Sequence, residues 1–320
     1  MLRRIAPIAD DLLELSVVGS FTLLGYEARR RLYGWGDVAD LHAPGRVVAI
    51  TGATSGLGLA TARMLAPTGA RLLLLVRDTG KGDAVASELR DAGGSDVGVV
   101  RIDLADQPSV RDAAERLRAS EERIDAVVHN AGGLFRERTE APDGHELTFA
   151  TMVLGPHLLT RELLPALGEG SRVIWVASGG MYTQGLDVDE LELGPEAYRG
   201  ALAYARAKRA QVELTRLWAM RLRDRRVSVH AMHPGWVETA GVREGLPGFS
   251  RVMGPLLRDP EQGADTIAWL AVADEPGRST GRFWLDRRPR PTEKLPGTRA
   301  DDAERERLWE LVERLTAPTA

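Results

Sequence analysis

The sequence of 320 residues contains no cysteine, which excludes disulfide bridges, cysteine-ligated zinc and a thiol nucleophile. It also has no run of the roughly 20 apolar residues that a membrane-spanning helix needs. Basic residues do not outnumber acidic ones, and the net charge of -4 argues against non-specific nucleic-acid binding. Hydrophobic residues make up 43% of the chain, enough to bury a large core. One α/β domain with terminal extensions fits these numbers better than two independent domains.

Residues 1–45 form an N-terminal extension that ends at an Ala-Pro-Gly turn. Acidic residues near its start and the absence of a small-residue cleavage site argue against a secretory signal, so we expect a cytoplasmic location. Three arginines at 29–31 follow an apolar run and would suit contact with a membrane surface. A helix packed on the outside of the domain is the favoured interpretation of this segment.

Strand and helix patterns alternate through residues 46–289. This order predicts an α/β fold with a Rossmann-type doubly wound parallel sheet of about seven strands, flanked by helices. The strands are predicted at 47–50, 71–76, 97–102, 124–129, 172–177, 227–232 and 281–285. The later helices are predicted at 81–92, 107–121, 143–167, 198–223, 260–273 and 304–315. Pro156 inside the third of these helices allows a kink. Residues 290–320 are interpreted as a C-terminal linker and helix, and the Arg- and Pro-rich stretch 287–296 as a linker or surface arm.

A glycine-rich turn follows the first predicted strand and leads into a helical pattern. Its glycines allow close approach of the backbone, and the start of the helix offers free N–H groups and a partial positive charge. This arrangement predicts a phosphate site for a dinucleotide. Glycine triplets also occur in ordinary loops, which is the alternative. The candidate residues are Gly52, Thr54, Ser55, Gly56, Leu57 and Gly58.

The second strand ends in Val76-Arg77-Asp78. Sites for NAD usually carry a carboxylate at the strand end to hold the ribose 2′-hydroxyl, but here that position is Val76. The planar fork of Arg77 can pair with a 2′-phosphate, although a solvated arginine is the alternative. NADP(H) is therefore favoured. NAD(H) stays open because a different register would bring Asp78 to the strand end.

Tyr204 and Lys208 are four residues apart in a predicted helix. One helical turn places the ammonium beside the phenol, which would favour phenolate and lower a pKa that is normally about 10. Such a tyrosine can act as general acid or base on a substrate oxygen. Ser178, at the end of the fifth strand, is a candidate partner, although serine at a strand end is often only a turn former.

The order and spacing of these motifs resemble the short-chain dehydrogenase/reductase family over about residues 45–289. The N-A-G turn of Asn130, Ala131 and Gly132 and the P-G-x-x-x-T stretch at 234–239 add to the resemblance. It implies that Ser178 bonds the reacting oxygen, that Tyr204 is the acid/base, and that Lys208 tunes Tyr204 and binds the nicotinamide ribose. It further implies cofactor contacts at Asp103, Leu104, Asn130, Ala131, Gly132, Pro234, Gly235, Val237 and Thr239.

Several of these positions can also be explained by a structural role alone. Asp103 could cap the next helix, although Asp106 or Ser109 can supply that cap. The turn at 130–132 has a partly structural role in either interpretation, and Pro-Gly by itself means only a turn. No metal site is expected, because no cluster of ligands accompanies His233.

One branch of the short-chain dehydrogenase/reductase family, family member 12, which is near the retinol-dehydrogenase-like enzymes, is resembled more narrowly. The segments that carry this resemblance are 175–181, 233–236, 262–266 and 281–289. The resemblance implies an NADP(H)-dependent oxidoreductase that moves a hydride between nicotinamide and a carbonyl or alcohol of an apolar small molecule. The segments 181–199 and 247–249 are expected to line the substrate pocket. A homo-oligomer through the helices at 143–167 and 198–223 is also implied, unless the terminal extensions block that face.

Met152 departs from the family pattern, which has an asparagine here that holds a proton-relaying water. A methionine side chain cannot form those hydrogen bonds, so a backbone carbonyl or another water would have to replace them. The alternative hypothesis is a non-catalytic NADP(H)-binding sensor or scaffold of the same fold. An epimerase or dehydratase is disfavoured, because the glycine spacing differs and no C-terminal sugar domain is evident.

Overall fold

The computed structural model describes residues 2–92, 96–238, 248, 251 and 253–318. Within these residues one sheet has eight strands in the order β3-β2-β1-β4-β5-β6-β7-β8. The strands are Val47–Thr51 (β1), Arg71–Val76 (β2), Val97–Arg101 (β3), Ala126–His129 (β4), Arg172–Val176 (β5), Ser228–Met232 (β6), Arg282–Leu285 (β7) and Arg288–Pro289 (β8). Neighbouring strands are parallel except for β7 and β8. The predicted doubly wound α/β sheet is confirmed, with one short antiparallel strand added.

Helices cover both faces of the sheet and form the N-terminal extension. The α-helices discussed below are Leu2–Glu14 (α1), Val17–Phe21 (α2), Leu23–Tyr33 (α3), Gly56–Leu65 (α4), Thr79–Asp91 (α5), Gln107–Ser120 (α6), Leu147–Phe149 (α7), Gly155–Leu163 (α8), Gly200–Arg221 (α9), Pro260–Val272 (α10) and Asp302–Leu315 (α11). Among the described residues, no helix combines the length and apolar character needed to cross a bilayer.

Strand residues alternate between two hydrophobic layers, as a period of two requires. In β2, Leu73 and Leu75 face one layer, while Leu72 and Leu74 face the other. The first layer includes residues of α6, α8 and α9, and the second includes residues of α4, α5 and α10. Because both faces of the sheet are covered, β2 is apolar on both sides, which explains its run of four leucines.

The single long helix predicted at 143–167 is wrong in its details. Glu146 begins this region by accepting hydrogen bonds from the N–H groups of Thr148 and Phe149. After α7 the chain forms a π-helical turn at Ala150–Leu154, and only then the α-helix α8. Pro156 therefore lies in the first turn of a helix, where its missing N–H costs little. The irregularity is a widened turn before the proline, a feature that is frequent at functional sites.

Buried ion pairs attach the N-terminal extension to the domain. Arg29 has no exposed side-chain surface and contacts Asp10 at 2.6 Å, Glu14 at 2.8 Å and Asp286 at 2.7 Å. Burial alone would raise the pKa of Asp286, but the charges of Arg258 and Arg29 hold it below its ordinary value. The Asp10 and Glu14 carboxylates of α1 thus face inward, whereas Asp11 is exposed. Ile8 and Leu12 on the outer face of α1, and Leu15 just after the helix, are exposed apolar side chains.

The stretch 287–296 is not the surface arm that its composition suggested. Arg287 is buried and pairs with Asp265 at 2.6 Å, and Arg290 pairs with Asp10 at 2.8 Å. Arg288 and Pro289 form the last strand of the sheet. The composition predicted a surface arm because arginine side chains are usually solvated. Here, buried carboxylates compensate the charges of Arg287 and Arg290. The division of the chain at residues 45 and 289 stays a prediction.

Candidate active site

The glycine-rich turn joins β1 to α4 with its backbone closely packed. Gly52 and Gly56 both have a positive φ, at 68° and 51°. A Cβ on Gly58 would lie 2.3 Å from the Gly52 carbonyl oxygen and 2.5 Å from Asn130 Nδ2, so only glycine fits. Ser55 precedes α4, and its side chain makes no cap hydrogen bond. The first turn of α4 therefore keeps uncapped N–H groups, which fits the pyrophosphate of a dinucleotide.

The N-A-G turn after β4 is bonded directly to the glycine-rich turn. The Thr51 hydroxyl accepts from the N–H groups of Asn130 at 2.9 Å and Ala131 at 3.0 Å, and donates to the Val128 carbonyl. The Asn130 amide donates to the Thr51 carbonyl at 3.0 Å. Strands β1 and β4 are neighbours on either side of the point where the strand order reverses. Ligands bind at such a point in doubly wound sheets, and the Thr51 hydroxyl joins the two turns there.

At the end of β2, Val76 is buried and Arg77 is exposed. Asp78 caps α5 by accepting from the Lys81 N–H at 3.1 Å, so it belongs to the helix start and not to the strand end.

Asp103 is half-buried, and its carboxylate accepts from the Ala105 N–H at 3.0 Å. Neither Asp106 nor Ser109 caps α6 as the alternative interpretation required. The Asp106 side chain makes no cap hydrogen bond, and the Ser109 hydroxyl accepts from the Asp103 N–H. Leu104, beside Asp103, is buried.

Ser178 and Tyr204 meet beyond the end of β5. Ser178 precedes a short 3-10 helix, Gly179–Thr183, and its hydroxyl accepts from the Gly180 N–H at 3.3 Å. Burial raises the pKa of Tyr204, and a hydrogen bond with the Ser178 side chain opposes that rise. The direction is opposite to the one expected from the four-residue spacing.

Lys208 is 3% exposed, and it has no carboxylate partner in the described part of the chain. Its Nζ donates to the Val176 carbonyl at 2.7 Å and to Gln211 Oε1 at 3.1 Å, and lies 5.4 Å from the centre of the Tyr204 ring. Burial lowers its pKa to about 7. Gly132 faces the same space, because a Cβ there would lie 3.8 Å from this Nζ and 2.7 Å from the Met152 sulfur.

Gln211 was not singled out by the motif analysis. Its Nε2 donates to the Met152 carbonyl at 2.7 Å, so the side chain joins Lys208 to the π-helical turn. A glutamine three residues after the lysine, on the same helical face, was the signal available in the sequence.

The P-G turn after β6 is held by a buried arginine. Gly235 has a φ of 81°, and its N–H donates to His233 Nδ1 at 3.1 Å. Arg258 Nη1 donates to the Pro234 carbonyl at 3.1 Å, and Val237 pairs with Arg258 in an isolated parallel bridge. The carbonyls of residues 20–22 in the extension also accept from Arg258. Thr239 and residues 247 and 249 lie outside the described residues.

The structure places the other predicted residues at one edge of the sheet, beyond the carboxyl ends of β1 to β6. The segment 181–199, expected beside the substrate, is fastened by the C-terminal region. There the Val188 N–H donates to Glu304 at 2.9 Å, and Arg307 pairs with Asp189 at 2.6 Å. A half-buried phenol with a serine and a buried lysine beside it can exchange a proton with a bound oxygen.

Comparison with known proteins agrees with this geometry. The short chain dehydrogenase family model matches residues 46–246. The chain is 37% identical to dehydrogenase/reductase SDR family member 12 of Bos taurus, over 92% of this chain and 93% of that protein. It is 33% identical to retinol dehydrogenase 13 of Homo sapiens, over 95% and 94% of the two chains.

A solved structure supports the same assignment. A candidate NAD(P)-dependent gluconate 5-dehydrogenase from Beutenbergia cavernae, with bound NADP at low occupancy, has a TM-score of 0.65 and 28% identity. The match covers 78% of this chain and 97% of that one. The chain thus belongs to the short-chain dehydrogenase/reductase family, and it is an oxidoreductase acting on CH–OH groups with a nicotinamide dinucleotide as acceptor.

Proposed function

We propose that the protein is an NADP(H)-dependent oxidoreductase of an apolar carbonyl compound or alcohol. The single observation that carries the catalytic part is the group of Ser178, Tyr204 and Lys208 around one space, with Tyr204 half-buried and Lys208 buried. A nicotinamide dinucleotide, when bound, supplies the hydride-transfer chemistry. In the reducing direction Tyr204 donates its proton to the carbonyl oxygen, and in the oxidising direction it accepts the hydroxyl proton.

The neighbours of Tyr204 have separate tasks. The Ser178 hydroxyl donates to the substrate oxygen and orients it toward the phenol. Lys208 holds the nicotinamide ribose with a donor that Val176 and Gln211 do not use, because an ammonium has three donors. The uncapped start of α4 holds the pyrophosphate, and Asp103, Asn130 and the turn at 234–237 hold the adenosine and nicotinamide ends.

Support for NADP(H) over NAD(H) comes from the end of β2. Asp78 is engaged as a helix cap, and Arg77 is exposed with no ion-pair partner among the described residues. Its guanidinium is free for a 2′-phosphate. The structural relative from Beutenbergia cavernae with bound NADP is consistent with this preference.

The apolar character of the substrate is proposed from the relatives alone. One of them is named a retinol dehydrogenase, and retinol is an apolar alcohol. A cytoplasmic location and a homo-oligomer also stay predictions from the sequence.

Substitution of Tyr204 by phenylalanine tests the catalytic assignment. Turnover on a panel of apolar aldehydes, ketones and alcohols should be lost, while the NADPH dissociation constant, measured by fluorescence, should change less than threefold, because the ring stays and only the hydroxyl is removed. Tyr33→Phe, in the extension, is the matched control. Unchanged turnover of Tyr204→Phe would remove this residue from the mechanism.

Met152 is the observation behind the alternative hypothesis, a non-catalytic NADP(H)-binding protein, which the family assignment disfavours. Its side chain is fully buried against Gly132 and offers no donor or good acceptor beside Lys208. A silent wild-type protein that gains activity on Met152→Asn would support this candidate. Turnover of any member of the panel by the wild-type protein would end it.

A further inference from the structure

The amide of Gln211 occupies the gap between Lys208 and the π-helical turn. Its two hydrogen bonds, 3.1 Å from Lys208 Nζ and 2.7 Å to the Met152 carbonyl, can be formed only in one orientation. An ammonium has only donors and a carbonyl only acceptors, so the amide oxygen must face Lys208 and the amide nitrogen Met152. Gln211 is 1% exposed, which protects both bonds from competition by water.

The position of Lys208 depends on few contacts. Val176 on the neighbouring strand and Gln211 on its own helix accept two of its three protons. The titratable group that faces Lys208 is Tyr204, on the same helix. No carboxylate or cation among the described residues shifts the pKa of Lys208. The partial negative charge on the Gln211 amide oxygen is therefore one of the main interactions that stabilise the ammonium of Lys208.

We propose that Gln211 is a positioning residue for Lys208, replacing with a direct amide bridge the polar group that Met152 lacks. This inference rests on the proposed function for its effect on turnover. The bridge ties the lysine to the π-helical turn Ala150–Leu154, so that the third proton of the ammonium points in a fixed direction. It also supports the charged form of Lys208 in a buried place where burial disfavours it.

The composition of the chain allows a direct test. The sequence has only three lysines, Lys81, Lys208 and Lys294, so a protein labelled with ¹³C-lysine gives three side-chain signals. Lys208→Arg assigns one of them, and Lys81 and Lys294 serve as internal references. Their titration is followed by NMR in the wild-type protein, Gln211→Glu and Gln211→Met, with Gln107→Met as a control on a different helix.

The two variants should move the titration of Lys208 in opposite directions. Gln211→Glu keeps the shape and adds a negative charge, which should raise the midpoint by about one pH unit or more. Gln211→Met removes the acceptor and should lower it. The kcat of Gln211→Met should fall about 10- to 100-fold, part of the usual contribution of acid–base catalysis, with a nearly unchanged dissociation constant for NADPH.

A midpoint for Lys208 that is the same in wild-type protein and Gln211→Glu would overturn the proposal. Equal shifts of both variants in one direction would do so too, since they would show only a loss of packing. If Gln211→Met fails to fold, the isosteric Gln211→Glu still decides the outcome. If the wild-type protein binds NADPH but turns over no substrate, the proposed function fails while the opposite shifts would still support the bridge.

Discussion

Arg258 Nη1 donates to Asp286 Oδ1 at 2.5 Å, and both side chains are almost completely buried. Asp286 also accepts from Arg29, so one carboxylate compensates two buried guanidinium groups. One of those groups belongs to the extension and the other holds the carbonyl of Pro234 in the turn beside the active site. The extension and the proposed nicotinamide site therefore share a buried charge.

Removing this carboxylate should destabilise the whole protein. We expect Asp286→Ala to lower the free energy of unfolding by about 3–5 kcal/mol, because the buried Arg258 loses its carboxylate partner and the buried Arg29 loses one of three. Urea denaturation followed by circular dichroism measures the change. Asp274→Ala is the control, because Asp274 is 82% exposed, and its loss should cost less than about 1 kcal/mol. Equal effects of the two substitutions would refute the structural role of Asp286.

Arg77 should determine the choice between the two dinucleotides. Because its guanidinium is proposed to pair with the 2′-phosphate, Arg77→Ala should weaken NADPH binding by roughly 10- to 100-fold, as expected for a lost charge-assisted hydrogen bond of about 1.5–3 kcal/mol. NADH binding should be almost unchanged. Isothermal titration with both dinucleotides gives the ratio, and Arg226→Ala, on another exposed arginine, is the control. An equal loss for NADH would show that Arg77 does not read the 2′-phosphate.

Gly58 should tolerate no side chain. A methyl group there would collide with the Gly52 carbonyl and the Asn130 amide, which link β1 to β4. Gly58→Ala should abolish measurable NADPH binding or prevent folding, and thermal unfolding together with NADPH titration distinguishes these results. Gly36 offers a matched control, because a Cβ on Gly36 would meet no atom within 4 Å. Normal NADPH affinity in Gly58→Ala would contradict the close packing of the two turns.

The stability of the apo protein should depend on pH through Lys208. Its pKa in the folded protein is about 7, below the ordinary value of 10.5, so between these values the unfolded chain binds a proton that the folded chain does not. The contribution of this group to stability therefore rises with pH across that window, by at most about 1.4 kcal/mol per unit. Below about pH 7 both states are protonated, and the full cost of burying the charge is present.

The Lys208→Met variant lacks this pH-dependent contribution to stability, because methionine does not titrate. Its advantage in unfolding free energy over the wild-type protein should be largest at or below pH 7 and should shrink toward pH 10. Chemical denaturation at pH 6, 8 and 9.5 measures the difference. A difference that does not vary with pH would show that Lys208 titrates normally in the folded protein.

Sequence patterns sufficed for the sheet because local periodicity determines which residues face the two core layers. They also brought the glycine-rich turn, Ser178, Tyr204 and Lys208 to one edge, since parallel strands end on the same side. They did not show the Gln211 bridge, which requires a π-helical turn whose carbonyl faces a neighbouring helix. Nor could the spacing of Tyr204 and Lys208 reveal that burial, and not the adjacent lysine, dominates the pKa of Tyr204.

The attachment of the extension was invisible for a different reason. Arg29 and Asp286 are 257 residues apart, and neither belongs to a motif. An isolated arginine triplet reads as a solvated or membrane-facing group, although Arg29 is the member of that triplet that is buried. Only the tertiary structure shows which of several similar cations finds a carboxylate.

The long separation of Arg29 from Asp286 has a consequence for synthesis of the chain. At roughly 5–20 residues per second, a ribosome needs on the order of 13 to 50 s to make the 257 residues between them. Throughout that interval Arg29 has been synthesised but its partner carboxylate does not yet exist. The turn at Pro234 waits as well, since Arg258 can join the two only after Asp286 emerges. The buried charge network around the Pro234 turn can thus form only late in synthesis of the chain.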